Sequence, residues 1–238
     1  MPEVPITQMY QTEAQAAAGL LRYKAVGRWL ETALDWLFPP RCAGCGRVDT
    51  VWCSRCQAEI AQEPPQLALR TLPSLTACAA GGLHDGKLRS AIHALKYERA
   101  LTVADPLAER LAQCLAQMDW QVDLIVPVPL HSQRLRLRGY NQAEVLARSL
   151  SRMVDIPCRV DVITRVRETR SQVGLDAVER RQNVVDAFAP VGDVLPDLSV
   201  LLVDDVYTTG ATMDACANAL LRAGARAVYA LTVATARA

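Results

Sequence analysis

Two aspartates stand side by side at the end of an apolar run, and a hydroxyl-rich turn follows them: Val200-Leu201-Leu202-Val203-Asp204-Asp205-Val206-Tyr207-Thr208-Thr209-Gly210-Ala211-Thr212. Four consecutive apolar residues read as a strand buried on both faces. Such a strand carries the two carboxylates to its C-terminal edge, where open parallel sheets bind ligands. The turn then opens a helix, so hydroxyls, backbone N–H groups and the positive end of a helix dipole converge on one small volume. That volume suits a phosphate monoester. Gly210 lets the backbone approach closely or turn left-handed. No Gly-Lys-Ser/Thr sequence occurs, so the turn is not a Walker A loop. Two carboxylates and a phosphate repel each other, which divides the work. Asp204 and Asp205 accept hydrogen bonds from sugar hydroxyls, and Thr208, Thr209, Gly210, Ala211 and Thr212 hold the sugar's phosphate. An ordinary strand and helix cap would leave the two acids unexplained, because unpaired buried carboxylates are costly.

A second chemistry lies in Cys42-Ala43-Gly44-Cys45 and Cys53-Ser54-Arg55-Cys56, two C-x-x-C pairs separated by seven residues. Four thiolates surround a tetrahedral Zn²⁺ at about 2.3 Å each. Gly44 and Gly46 permit the tight turn that aims backbone N–H groups at sulfur. The separation is shorter than in the usual zinc ribbon, so the module is compact. With cysteine at all four positions no coordination site is left open, which points to structural rather than catalytic zinc. An iron–sulfur centre or a redox-active thiol set is the competing reading.

The elements that position these groups follow from periodicity. Residues 12–38 read as a helix, with apolar residues from Leu20 to Phe38 mostly three and four apart,. Pro39-Pro40 stops it. Its apolar face either packs on the rest of the protein or, with Arg22, Lys24 and Arg28 beside it, lies on a membrane surface or a partner. After a linker at Pro64-Pro65, the pattern predicts a strand over 75–83 and helices over 87–97 and 105–118, the latter capped by Asp105 before Pro106. Strands over 122–128, 159–163, 200–203 and 227–233 then alternate with helices over 141–153 and 211–222, the last capped by Gly224. This alternation predicts an α/β fold with a central parallel sheet and right-handed crossovers. The organisation read from sequence is a helical segment at 1–40, a four-cysteine module at 41–63 and an α/β domain at 66–238.

Composition sets the class. The chain has 238 residues, is 51% apolar and carries a formal net charge of only +1, which describes a globular protein rather than a disordered one. No apolar run reaches the roughly 20 residues a membrane span needs, and the start Met1-Pro2-Glu3 lacks the order of a signal peptide. Four of the eight cysteines cluster instead of spreading as a disulfide framework would,. The cytoplasm is the expected compartment.

A further constellation runs from Val126-Pro127-Val128-Pro129-Leu130 through Arg134, Arg136, Arg138, Gly139, Tyr140, Asn141 and Gln142. Guanidinium groups bind phosphate oxygens bidentately, although any one arginine here also reads as a solvated surface charge. The polar stretch 164–183 carries Arg165, Gln172 and Arg181 and reads as a loop. The motif over 200–212 resembles the phosphoribosyl pyrophosphate (PRPP) motif of type I phosphoribosyltransferases. With Ala94-Leu95-Lys96-Tyr97, the Val-Pro-Val-Pro-Leu strand end, Arg138-Gly139-Tyr140-Asn141-Gln142 and the cysteine pairs, the resemblance narrows to the ComF family, also called GntX-like, of competence and DNA-utilisation proteins. It covers the chain from about Cys42 onward.

That resemblance implies the type I phosphoribosyltransferase fold, with Asp204 and Asp205 on the ribose 2′- and 3′-hydroxyls and the turn on the 5′-phosphate. It places Pro129, Arg134, Arg138 and Asn141 at the pyrophosphate, and Arg165, Gln172 and Arg181 on a flexible loop that closes over the reacting centre as catalytic residues. Lys96 and Tyr97 would line an acceptor pocket, with a core-and-surface role as the alternative. The implied chemistry is displacement of pyrophosphate from C1 by a nitrogen nucleophile, with Mg²⁺ bridging the phosphates of PRPP and arginines assisting the leaving group. Three functions stay open: a phosphoribosyltransferase of nucleotide salvage, a cytoplasmic module handling imported single-stranded DNA or its nucleotides beside DNA-uptake proteins, and a PRPP sensor without turnover. The arginine-rich stretch 131–181 could follow a DNA backbone, but PRPP is itself highly anionic and would use the same residues.

Overall fold

The computed structural model describes residues 39–69, 72–166, 187–192 and 195–237. Among these, 39–42 with 47–50 form one small unit, and 43–46 with 51–237 form the other. The small unit is a tight antiparallel turn in which Arg41 bridges Val48 and the Cys42 N–H donates to the Arg47 carbonyl at 2.7 Å.

Among the described residues the larger unit is built on four parallel strands: β1 (Ala77–Ala80), β2 (Leu124–Pro127), β5 (Ser199–Tyr207) and β6 (Ala227–Thr235), in the order β1-β6-β5-β2. The alternation expected from sequence is therefore present, with the predicted apolar strand at the centre of the sheet. Val200, Leu201, Leu202 and Val203 are all fully buried, each worth about 1.5–3 kcal/mol of apolar burial. Successive side chains point to opposite faces. Val200 and Leu202 share one apolar cluster with Leu124, Val126, Val228 and Ala230, and with Met213, Cys216 and Leu220 of the helix that follows β5. Leu201 and Val203 face the other way.

Among the described residues six helices accompany the sheet: α1 (Ser54–Ala61), α2 (Gly86–Tyr97), α3 (Ala104–Leu115), α4 (Ser132–Arg138), α5 (Gln142–Val154) and α6 (Ala211–Arg222). Helices α3 and α5 pack on each other and on the central strands, and α6 packs on β5 and β6. Two further strands, β3 (Ile163–Arg165) and β4 (Phe188–Pro190), pair antiparallel as a separate ribbon packed on α6. Arg110 on α3 is buried and donates to the carbonyls of Gly81 (2.7 Å) and Glu63, tying the chain that leaves α1 to the end of β1. No helix among the described residues is long and apolar enough to cross a membrane.

Several elements differ from the sequence expectation. Helix α3 starts at Ala104, not after an Asp105 cap, because a 3-10 turn (Leu101–Val103) runs straight into it. The Asp105 carboxylate is used instead by Ser149 and Arg152 of α5. The strand expected at 159–163 is displaced: only Cys158 bridges Ile125 in parallel, and the true strand begins at Ile163 and continues into residues read as loop. Helices α1 and α4 carry too few apolar residues at helical spacing to announce themselves. The helix expected over 12–38 lies outside the described residues.

Candidate functional site

Asp204 and Asp205 are neighbours in a strand, so their side chains leave the sheet on opposite faces. Asp205 turns away from α6 and meets Lys96 in the last turn of α2, with Nζ 2.6 Å from Oδ1. Asp205 is 4% exposed, and its Oδ2 is buried with no hydrogen-bond partner among the described residues. Asp204 turns toward α6 and the ribbon, where Arg165 and Cys216 are its neighbours, and one of its oxygens accepts the Asp205 N–H at 2.8 Å. Burial first, and the Asp205 carboxylate second, push the Asp204 carboxyl up to about 7,. A buried carboxylate oxygen lacking a donor is a place where a hydroxyl-bearing ligand recovers a lost hydrogen bond.

The turn after the acids is shaped by one residue. Gly210 lies at φ +75° and precedes the first turn of α6, which has no side-chain cap. A methyl group at this position would come within 2.6 Å of Leu72 Cδ1 and 2.7 Å of Tyr207 Cζ. The positive end of the α6 dipole faces the crevice at this turn, where an anion is favoured,. Asp214 in that first turn is engaged elsewhere, accepting from the Ser74 N–H at 2.9 Å.

These groups line a crevice of about 820 Å³. Of the expected residues it brings together Lys96, Tyr97, Pro129, Arg134, Arg138, Arg165, Asp204, Asp205, Thr208, Gly210, Ala211 and Thr212. Arg165 packs over the Phe188 ring, its centre 5.4 Å from the centroid, and burial and the nearby Arg134 both disfavour its charge. Two guanidinium groups so placed repel each other, and an anion between them relieves that repulsion. Arg138 donates to Gln142 and lies over the Tyr97 ring.

Asn141 and Thr209 are not on the crevice wall. Asn141 is buried: its amide donates to the Val128 carbonyl (3.0 Å) and its oxygen accepts the Ala143 N–H (3.1 Å), capping α5. The Thr209 hydroxyl accepts the Ala211 N–H at 3.5 Å. The whole stretch Arg138-Gly139-Tyr140-Asn141-Gln142 works as a clasp: Gly139 ends α4 at φ +86°, and the Tyr140 hydroxyl donates to the Leu95 carbonyl of α2. Gln172 and Arg181 lie outside the described residues.

The Sγ atoms of Cys42, Cys45, Cys53 and Cys56 all lie within 4.8 Å of one another, and among the described residues they are the only such group of potential metal ligands. Cys45 and Cys53 are 3.7 Å apart. A tetrahedron with zinc–sulfur bonds of about 2.3 Å has edges of about 3.8 Å, so the donor set fits zinc.

The phosphoribosyl transferase domain model matches residues 96–238, from Lys96 to the end of the chain. Competence protein F of Haemophilus influenzae is 34% identical over 194 residues, covering 77% of this chain and 85% of that protein. The chain is a ComF-like member of the phosphoribosyltransferase superfamily. DNA utilization protein YhgH of Escherichia coli strain K12 is 32% identical over 216 residues, spanning 86% of this chain and 89% of that one. In this ComF-like chain His84, Arg99 and Leu137 line the crevice but belong to none of the sequence motifs. His84 was legible in principle, since it closely follows β1 at the ligand-binding edge of the sheet,. Arg99 had no such signal, for only the turn after α2 brings it to the crevice.

Proposed function

We propose that the chain binds PRPP with Mg²⁺ in this crevice and serves the cytoplasmic handling of imported single-stranded DNA or its nucleotides. The observation that carries the PRPP reading is the pair of carboxylates beside a left-handed glycine turn at the start of α6. Asp204 and Asp205 accept hydrogen bonds from the ribose hydroxyls, the unpartnered Oδ2 of Asp205 foremost. Thr208, Gly210, Ala211 and Thr212 hold the 5′-phosphate, with the Thr209 hydroxyl bracing the Ala211 N–H. Arg134, Arg138 and Pro129 line the pyrophosphate side, and Asn141 fixes the backbone there. Mg²⁺, when bound with the ligand, neutralises leaving-group charge. Arg165 completes the described part of the site for attack of a nitrogen nucleophile at C1. Tyr97, 66% exposed at the mouth, offers its ring to the acceptor. The DNA role draws on the likeness to a competence protein and a DNA utilization protein and on the arginines around the crevice.

Calorimetric titration with PRPP and Mg²⁺ tests the reading: saturable binding that inorganic phosphate cannot reproduce is expected, and no heat of binding would sink it. Pyrophosphate release on addition of nitrogen acceptors then separates an enzyme from a sensor. Single-strand binding measured at several salt concentrations checks the DNA role, and none at low salt would end it.

The affinity should depend on pH. An acceptor carboxylate must be ionised, and the Asp204 carboxyl at about 7 is mostly protonated at pH 6 and mostly ionised at pH 8. PRPP affinity is therefore expected to rise about tenfold between those values, and Asp204→Asn should flatten that dependence. A wild-type profile that is level, or falls with rising pH, would contradict the assignment.

We also propose that the cysteine cluster holds one structural zinc ion. Metal analysis of the purified protein should find about one equivalent, lost in Cys53→Ser with Cys56→Ser. Because a metal-bound module is unfolded or loosened without its ion, that variant should melt at a lower temperature. Full thermal stability after zinc is stripped would refute a structural role.

A further inference from the structure

The acidic pair has a cation of its own that no nucleotide supplies. We propose that Lys96 is a positioning residue of the sugar site, clamping Asp205 through Oδ1 so that Oδ2 is presented to a ribose hydroxyl. This assignment rests on the PRPP reading above for its purpose, but its geometry stands without ligand.

Lys96 Nζ lies 2.6 Å from Oδ1 of a residue only 4% exposed, and the second oxygen of the same carboxylate has no partner among the described residues. A carboxylate with one oxygen bound and the other bare has a fixed orientation and one vacant acceptor. The lysine is itself held in place. It occupies the last turn of α2, and the Tyr140 hydroxyl bonds to the carbonyl of its neighbour Leu95. The clasp at 138–142 therefore fixes the helix end from which Lys96 reaches the sheet. The sequence offered Lys96 as an acceptor-pocket residue, but its ammonium is spent on Asp205.

Without Lys96, two adjacent carboxylates would share a buried strand end with less compensation, and a proton would settle on the pair. A protonated acid no longer offers the same acceptor. The charged groups facing the pair are Lys96 and His84 from the α2 side, and Arg165 from the ribbon, with the Cys216 thiol from α6. Burial first and Lys96 second push His84 below its ordinary value of 6.5, and burial pushes the Cys216 thiol well above its ordinary value. Neither group titrates near pH 7.5, so a profile there reports on the acids.

The test measures PRPP affinity by calorimetry from about pH 6 to pH 9 in wild type, Lys96→Met, Lys96→Gln and Lys96→Arg. Alongside it, the aspartate carboxyls of each ligand-free protein are titrated by ¹³C NMR. Loss of an opposite charge at this distance moves a carboxyl by about 1–3 pH units. In the Met and Gln proteins the affinity midpoint and the carboxyl titration should move together to higher pH by about that much. Lys96→Arg, which keeps the charge, should stay near wild type. Folded Met and Gln proteins with the wild-type midpoint and titration would overturn the proposal. Should no protein bind PRPP, the function proposed above fails, while the ligand-free titration still judges the clamp. Wild type gives an independent check, because a clamped ammonium exchanges its protons slowly. A Lys96 ammonium signal in ¹⁵N NMR that disappears in Asp205→Asn is expected, and its absence from wild type would count against the clamp whatever the variants do.

Discussion

Replacing Asp204 and Asp205 together by alanine is expected to weaken PRPP binding roughly a hundredfold or more while leaving the protein folded. Each carboxylate accepting a ribose hydroxyl makes a charge-assisted hydrogen bond worth about 1.5–3 kcal/mol, and tenfold in affinity corresponds to about 1.4 kcal/mol. The fold should survive for a reason visible at the site. Burial and the adjacent Asp205 hold the Asp204 carboxyl at about 7 rather than near its ordinary 3.8, so its ionised form is less comfortable in the folded protein than in the unfolded chain. The stability this group contributes is complete below about pH 4 and is lost as pH rises through about 7. Asp204→Asn removes that liability, and the melting temperature of this variant should gain on wild type more at pH 8 than at pH 4. In the double alanine variant Lys96 loses its partner, but its side chain is 21% exposed and its ammonium can reach water. The decisive measurement is calorimetry on the double variant, with circular dichroism to confirm folding. Unchanged affinity would remove the sugar site from this crevice.

Gly210→Ala is the second large effect, and it acts through the phosphate rather than the sugar. At φ +75° an alanine is strained by roughly 1–2 kcal/mol,. Its methyl would also overlap the Tyr207 ring and Leu72. Tyr207 does not yield easily, because it is buried and its backbone carbonyl accepts the Ala236 N–H at 2.9 Å. The turn must therefore shift, carrying the first N–H groups of α6 off the phosphate position. PRPP affinity is expected to fall more than tenfold, since displaced donors lose their hydrogen bonds outright. Inorganic phosphate, as a competitor of PRPP binding, should weaken in the same variant. In the double acid variant direct phosphate binding should be retained or strengthened, since it makes no ribose contact and two repelling carboxylates are gone. Retention of full PRPP affinity in Gly210→Ala would show that the turn does not bind the phosphate.

The central strand, the parallel alternation around it, the acidic pair, the glycine turn and the two cysteine pairs were all legible in the residues. Each depends on local chemistry: apolar runs bury, left-handed turns select glycine, and paired C-x-x-C units converge on one point. The start of α3 and the ribbon β3–β4 were not legible. Asp105 reads as a cap but serves Ser149 and Arg152 across 44 and 47 residues, and β3 is a strand because β4 pairs with it, not because of its own pattern. The same limit governs the site. By itself the sequence determined which groups could hold a phosphorylated sugar, because adjacency in a strand and a turn is a property of the chain. Tertiary structure decided which of the two acids has a cation, that Asn141 supports a helix instead of lining the crevice, and that Tyr140 holds α2 in place. Those facts depend on which faces of separate elements meet, and no periodicity along the chain encodes that meeting.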